Sequence, residues 1–324
     1  MKIKVYYVDA FTSKIFGGNP AGVVISHKEL ADSWMQKTAR ELNLSETVFV
    51  TPDLKNPRVF HTRFFTPITE VDLCGHAALG AFHVLAKEGY LQKKQDRFHV
   101  KQKTITEEFD IEIINKGERL EILMAQSTPR VMDQIIDLDR LSTIMGVHKN
   151  EIGITNHKNL KEPLKPTIAY TGLKDLIVPI KSLKTLEEIT IDEEKLKKYS
   201  KELGVVGIHA FTLETLRGNT AHCRNFAPLV GISEEAATGT ASGALSYYLL
   251  VNKHGDPKDH KALVHTFEQG DCMGRPSEIR CYITKDNGKY GIKVGGEARI
   301  FIKGEILSGD KPLKESSNTL RKEG

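Results

Sequence analysis

One motif occurs twice in this chain, and nothing else in it restricts the fold so strongly. Arg63-Phe-Phe-Thr-Pro67 and Arg224-Asn-Phe-Ala-Pro228 share the pattern Arg-x-Phe-x-Pro. Each leads through a short acidic segment into a small-residue turn that opens a helix. The first copy continues as Glu70-Val-Asp-Leu-Cys74-Gly75-His76-Ala77, the second as Glu234-Glu235-Ala-Ala-Thr238-Gly239-Thr240-Ala241. Aligning the glycines sets Cys74 against Thr238, His76 against Thr240 and Leu85 against Leu249, with a loop three residues longer in the second copy. Self-similarity of this kind marks a duplicated structural unit. We therefore expect an α+β protein of two facing halves, 1–127 and 128–308. The last strand would pack back on the first half, and a loose Lys-, Ser- and Glu-rich tail would follow over 309–324.

The length of 324 residues agrees with two domains at roughly 150 residues each. Runs rich in Val, Ile, Phe and Tyr, punctuated by Gly, Pro, Asn and Asp, predict strands near 4–9, 21–25, 47–50, 59–65, 98–100, 109–114 and 119–124. Further strands are expected near 208–213, 278–284 and 298–302. Periodicity and flanking glycines predict helices over 29–42, 77–88, 134–145, 183–203 and 241–253. The net charge is +4 with both signs interleaved, which gives no reason to expect a nucleic-acid partner. No apolar run approaches about 18 residues, and the N-terminus reads as a strand, so neither a membrane span nor a secretory signal is expected. Cysteines 74, 223, 272 and 281 form no Cys-x-x-Cys pair. A zinc knuckle and a disulfide scaffold are thus unsupported, and a reducing cytoplasm is the expected location.

The chemistry concentrates in a few places. Each repeat turn sets free backbone N–H groups at a helix start, where the dipole favours an anion such as a substrate carboxylate. A cap with no further role is the plainer reading of any one such turn. Glu46, in Asn43-Leu-Ser-Glu-Thr-Val-Phe-Val50, stands where a helix passes into an apolar strand. Apolar surroundings would raise its pKa toward that of a general base. Gly17-Gly-Asn-Pro-Ala-Gly22 is neither a dinucleotide fingerprint nor a P-loop, since it precedes a strand. Asn19 in it can reach a ligand, although turn formation alone also explains Gly-Asn-Pro. Cys74 at a helix start is either a lowered-pKa thiol or a small buried residue. Of the twelve histidines only His76 lies in a repeated motif, and no metal-ligand spacing occurs among the rest.

With these residues in view, the chain resembles the phenazine-biosynthesis isomerase-like (PhzF-type) family. The stretches that carry the resemblance run in order from end to end: Asp9-Ala-Phe-Thr, Gly18-Asn-Pro-Ala, Leu44-Ser-Glu-Thr, Asp72-Leu-Cys-Gly-His-Ala, both Arg-x-Phe-x-Pro motifs, Glu268-Gln-Gly, Gly274-Arg-Pro-Ser and Val294-Gly-Gly-Glu-Ala. The resemblance implies a diaminopimelate-epimerase-like fold: two pseudo-symmetric halves, each a mixed sheet around a central helix, with the active site in the cleft between them. It also implies a cofactor-independent proton shift within a small carboxylate-bearing metabolite, no metal, and a homodimer. Glu46 matches the family's acid/base glutamate. His76 and Glu235 match residues that hold the substrate's polar groups, and Gly75, Gly239 and Thr240 match substrate-binding positions. The family commonly reads Glu-Asp-Pro-Ala-Thr-Gly-Ser where this chain has Glu235, Ala236 and Thr240, so its substrate need not be the family's characterised one. A racemase or epimerase of the same fold, with Glu46 and Cys74 as an unlike pair, and a binding protein without chemistry are the alternatives.

Overall fold

The Arg-x-Phe-x-Pro repeat has a direct physical basis. Residues two apart in a strand project from the same face. In β4 (Val59–Phe65) the Arg63 guanidinium therefore lies over the Phe65 ring at 5.3 Å, and in β13 (Ala221–Ala227) Arg224 lies over Phe226 at 4.8 Å. Each arginine then grips the acid on the short strand beside it. Arg63 donates twice to Glu70, at 2.7 Å each, and Arg224 donates twice to Glu234, at 2.8 and 2.9 Å. The longer second loop begins with a 3-10 turn, Pro228–Val230.

The computed structural model describes residues 2–91, 95–132, 134–155, 160, 162–252 and 262–307; the expected tail 309–324 lies outside them. In chain order the first set of strands is β1 (Lys2–Ala10), β2 (Asn19–Ile25), β3 (Thr47–Pro52), β4, β5 (Glu70–Val71), β6 (Arg97–Lys103), β7 (Glu108–Lys116) and β8 (Arg119–Ala125). The second set is β9 (Arg130–Met132), β10 (Thr167–Tyr170), β11 (Lys174–Pro179), β12 (Ile208–Thr212), β13, β14 (Ile232–Glu235), β15 (Leu263–Gln269), β16 (Ser277–Asp286) and β17 (Lys289–Gly296), and β18 (Ala298–Leu307) follows it in the chain.

The pairing senses run twice in the same order. β18, β1 and β2 are antiparallel neighbours, β2 and β3 parallel, β3 and β4 antiparallel, β4 and β6 parallel, and β6, β7 and β8 antiparallel. Likewise β9, β10 and β11 are antiparallel, β11 and β12 parallel, β12 and β13 antiparallel, β13 and β15 parallel, and β15, β16 and β17 antiparallel. An antiparallel β8–β17 seam joins the two sets. A strand made after the second set, β18, thus completes the first.

Each set of strands surrounds one helix. In α2 (Gly75–Lys87) every residue over 76–86 is buried, and α6 (Gly239–Asn252) is buried along most of its length. A helix that is apolar on all sides has to be covered on all sides, and a curled sheet does this. The remaining helices pack outside. The expected helix 29–42 begins at Asp32 as α1 (Asp32–Leu42), and 134–145 begins at Leu138 as α3 (Leu138–Met145), where Asp137 accepts from the amides of Asp139 and Arg140. The expected helix 183–203 is two helices, α4 (Leu183–Glu188) and α5 (Glu193–Leu203). The β-branched run Ile189-Thr190-Ile191 interrupts it, and Asp192 caps the second piece by accepting from Lys195 N. No helix among the described residues is long and apolar enough to cross a membrane.

Candidate active site

Both repeat turns open onto the same place, and Asn19 joins them. Its Nδ2 lies 3.2 Å from His76 Nδ1 in the first turn, and donates to Glu235 Oε1 at 2.9 Å and Ala237 O at 3.1 Å in the second. Turn geometry and neighbours hold it there. Gly18 sits at φ +67°, and a Cβ on it would stand 2.2 Å from Ala10 O, so only glycine serves. Arg275 staples the turn from the other side. It donates to the carbonyls of Gly17 and Gly18, both at 2.8 Å, and to Asp9 Oδ1 at 2.6 Å.

Glu46 is mounted with similar care. Asn43 closes α1 in the left-handed region, and the chain enters β3 one residue after Glu46, whose carbonyl accepts from Gly22 N at 3.0 Å. Gly22 lets the strands approach, because a Cβ there would stand 2.7 Å from Thr47 Oγ1. The Glu46 side chain is 15 % exposed, and its Oε2 lies 3.2 Å from His76 Nε2. That oxygen is buried without an aligned hydrogen-bond partner.

His76 stands between two carboxylates, with Glu235 Oε1 3.6 Å from its Nδ1. Ser45 Oγ and Cys74 Sγ also approach the ring, at 3.3 Å and 3.4 Å. Burial alone would drive off the imidazole proton, but contacts with Cys74 and Glu46 reverse this and hold the His76 pKa well above the usual histidine range. Of these two the carboxylate carries the charge, since burial pushes the Cys74 thiol up and keeps it neutral. The two hydrogens of Asn19 Nδ2 are taken by Glu235 and Ala237, which leaves His76 Nδ1 free to be a donor. The expectation of a raised Glu46 pKa is thereby corrected. Burial raises it, yet the hydrogen-bonding and charge of His76 outweigh burial and bring it below the ordinary carboxylate value. Of the two readings of Cys74, the small buried residue holds and the lowered thiol does not, because desolvation exceeds what a helix start supplies.

Glu235 shifts the other way. It accepts from Asn19 and, at 2.6 Å, from Thr238 Oγ1, but burial and the charge of Glu46 leave its pKa raised. Gly75 and Gly239 are half-buried at the first residues of α2 and α6, whose first-turn amides have no intrahelical acceptor. Cys74 caps α2 without a side-chain bond. Thr240 follows, its carbonyl accepting from Thr171 Oγ1 at 2.8 Å.

Several contributors escaped sequence reasoning. Gln269 accepts from Thr238 N at 3.2 Å and donates to Glu235 O at 2.7 Å, while Ser277 donates to Ala236 O at 2.8 Å. These residues, with Arg275, explain why Glu268-Gln-Gly and Gly274-Arg-Pro-Ser are motifs. Asp175, on β11, left no sequence signal. It is buried, and desolvation with the charge of Glu235 pushes its pKa to about 7. A cavity of about 230 Å³ lies elsewhere, among Leu30, Phe49, Arg63 and Lys103 on the outer face of the first half.

The phenazine biosynthesis-like (PhzC-PhzF) family model matches residues 8–304. The chain belongs to this family. An uncharacterized isomerase of Clostridium acetobutylicum is 32 % identical over 311 residues, covering 94 % of this chain and 98 % of that one. The crystal structure of a Bacillus anthracis phenazine biosynthesis protein of the PhzF family is similar with a TM-score of 0.83 at 30 % identity, over 95 % of this chain and all of that one. A probable proline racemase from Agrobacterium radiobacter shares the fold, with a TM-score of 0.56 at 12 % identity over 95 % of this chain and 93 % of that one. The fold of this PhzF-family chain is accordingly α+β and epimerase-like.

Proposed function

We propose that this family member is an isomerase that moves a proton within a small carboxylate-bearing metabolite, with Glu46 as the acid/base group. The observation that carries this reading is the pair of carboxylates flanking His76, one with its pKa lowered and the other with its pKa raised. Two titratable groups pushed apart by their surroundings define the base and the proton holder. Glu46 is held ionised by His76, and its Oε2, 3.2 Å from the imidazole, makes no aligned hydrogen bond that proton uptake would have to break. The amides at the starts of α2 and α6 offer donors to a carboxylate and to the enolate charge that develops when a neighbouring carbon is deprotonated. His76 and Glu235 then orient amino or hydroxyl groups. Proton removal and return on one face is redox-neutral, so this reading calls for no cofactor. The name isomerase carried by the Clostridium relative supports it. A cytoplasmic homodimer completes the proposal; sedimentation velocity tests the dimer.

The decisive experiment is a metabolite screen in heavy water, reading deuterium in the recovered compound. Wild type should exchange and Glu46→Gln should not; full exchange in Glu46→Gln removes the assignment. The racemase reading keeps one foothold in the 3.4 Å contact between Cys74 Sγ and His76. Inversion at a stereocentre that stops in Cys74→Ala would favour it. Tight binding without any exchange would favour a silent binder.

A further inference from the structure

We propose that Glu46, Cys74 and His76 also form a binding site for a thiophilic divalent cation, zinc above all, and that its occupation silences the proton transfer. A thiolate, an imidazole and a carboxylate are a zinc donor set. Tetrahedral zinc with a Zn–S bond of about 2.3 Å and Zn–N or Zn–O bonds of about 2.0–2.1 Å needs donor atoms about 3.3–3.6 Å apart. Cys74 Sγ lies 3.9 Å from His76 Nε2, which lies 3.2 Å from Glu46 Oε2. The three donor atoms fall within 4.8 Å of one another. Two edges of the required face, 3.9 and 3.2 Å, thus lie close to that range, and the third is within 4.8 Å.

Two further observations point the same way. Glu46 Oε2 is buried and lies 3.2 Å from His76 Nε2 without an aligned hydrogen bond, so a cation replacing the imidazole proton would bind both atoms at once. The donors are also fixed in place. Cys74 and His76 flank Gly75 at the start of a fully packed helix, and the Glu46 backbone is tied to β2. Little ordering is therefore left for binding to supply. Three protein donors leave one coordination position for water. Magnesium and calcium, which take six or more oxygen ligands, find one oxygen here. The second turn places Thr238 and Thr240 where the first has Cys74 and His76, so it has no equivalent soft donors.

Metal binding itself stands apart from the isomerase reading; only the silencing rests on it. Tag-free, reduced, chelator-treated protein is titrated with cobalt, following the visible bands of tetrahedral cobalt and the thiolate charge-transfer band, and zinc is then added in competition. One equivalent should bind, zinc should displace it, and a large excess of magnesium should not. Cys74→Ala should abolish the charge-transfer band, with Cys74→Ser replacing it if thermal melting shows that the alanine variant does not fold. Glu46→Gln should weaken cobalt binding about tenfold or more, and the exposed Cys272→Ser should bind as wild type does. A thiolate band that survives Cys74→Ala, or vanishes in Cys272→Ser, overturns the site, as does the absence of saturable binding. Once a substrate is in hand, deuterium exchange should stop at one equivalent of zinc; undiminished exchange in the zinc-bound protein overturns the silencing. Cobalt binding in a protein that exchanges nothing would support the site and count against the isomerase reading alone.

Discussion

The two halves are built to one plan and finished differently. Both use an arginine stacked on a phenylalanine to hold an acid, and both end in a turn that opens a buried helix. In the first half the turn carries Cys74 and His76 and faces Glu46, so it holds a charged pair beside a thiol. In the second, Thr238 takes the thiol's position and spends its hydroxyl on Glu235. Their supports differ as well. Arg63 adds an exposed contact to Asp32, whereas Arg224 also donates to the carbonyls of Leu186, Glu187 and Ile189. On the function proposed above, a duplicated frame leaves reactivity to one copy and rigidity to the other.

The sharpest way to break that division is to exchange the carboxylates for amides. Glu46→Gln should lower kcat by about 10³-fold, in keeping with a lost proton-transfer group, with unchanged thermal stability. Glu235→Gln should act mainly on KM. Equal kcat losses in the two variants would show that reactivity is shared. Next comes the frame. Arg224→Ala should destabilise by about 3–5 kcal/mol, because Glu234 and three carbonyls are left behind in a nearly buried site. Arg63→Ala should cost about 1–2 kcal/mol in the same urea titration. A reversed order would contradict the assignment of rigidity to the second half.

Smaller effects appear with pH. His83 in α2 and His209 in β12 are held neutral by burial, with pKa values brought down from 6.5 to about 3 and about 4. The unfolded chain binds the extra protons, so stability should fall by about 1 kcal/mol per pH unit for each as pH drops below 6.5. The loss should level off near those folded values. Asp175, in the second half only, has the opposite sign. Its pKa is raised from 3.8 to about 7, so its contribution declines as pH rises through that window. Urea melts of Asp175→Asn should show higher stability at pH 7 and no gain at pH 3. The smallest expected effect is that of Cys272→Ser, within about 0.5 kcal/mol, as for other exposed positions.

The duplicated frame was legible because its residues do visible chemistry at fixed spacing: Arg63 with Phe65, Arg224 with Phe226, a glycine at each helix start. Glu46 could be singled out from its helix–strand junction, but not the sign of its pKa shift, which depends on a histidine 30 positions away in the chain. Asn19 could be singled out as able to reach a ligand, but not its hold on the second turn, because its acceptors Glu235 and Ala237 lie more than 200 positions away in the chain. Asp175 belongs to no motif, and only folding sets it within reach of Glu235. The break in 183–203 turned on three β-branched residues whose helical cost charge patterning masks.

The return of β18 to β1 bears on the order in which the protein can be made. Lys2 pairs with Leu307 and Ala10 with Ala298, so β1 waits for a partner made almost 290 residues later. Until residues 298–307 leave the ribosome, one edge of β1 is an open template for other strands. The half that carries Glu46 and His76 begins first and closes last, and the interval between is when the chain most needs protection from its neighbours.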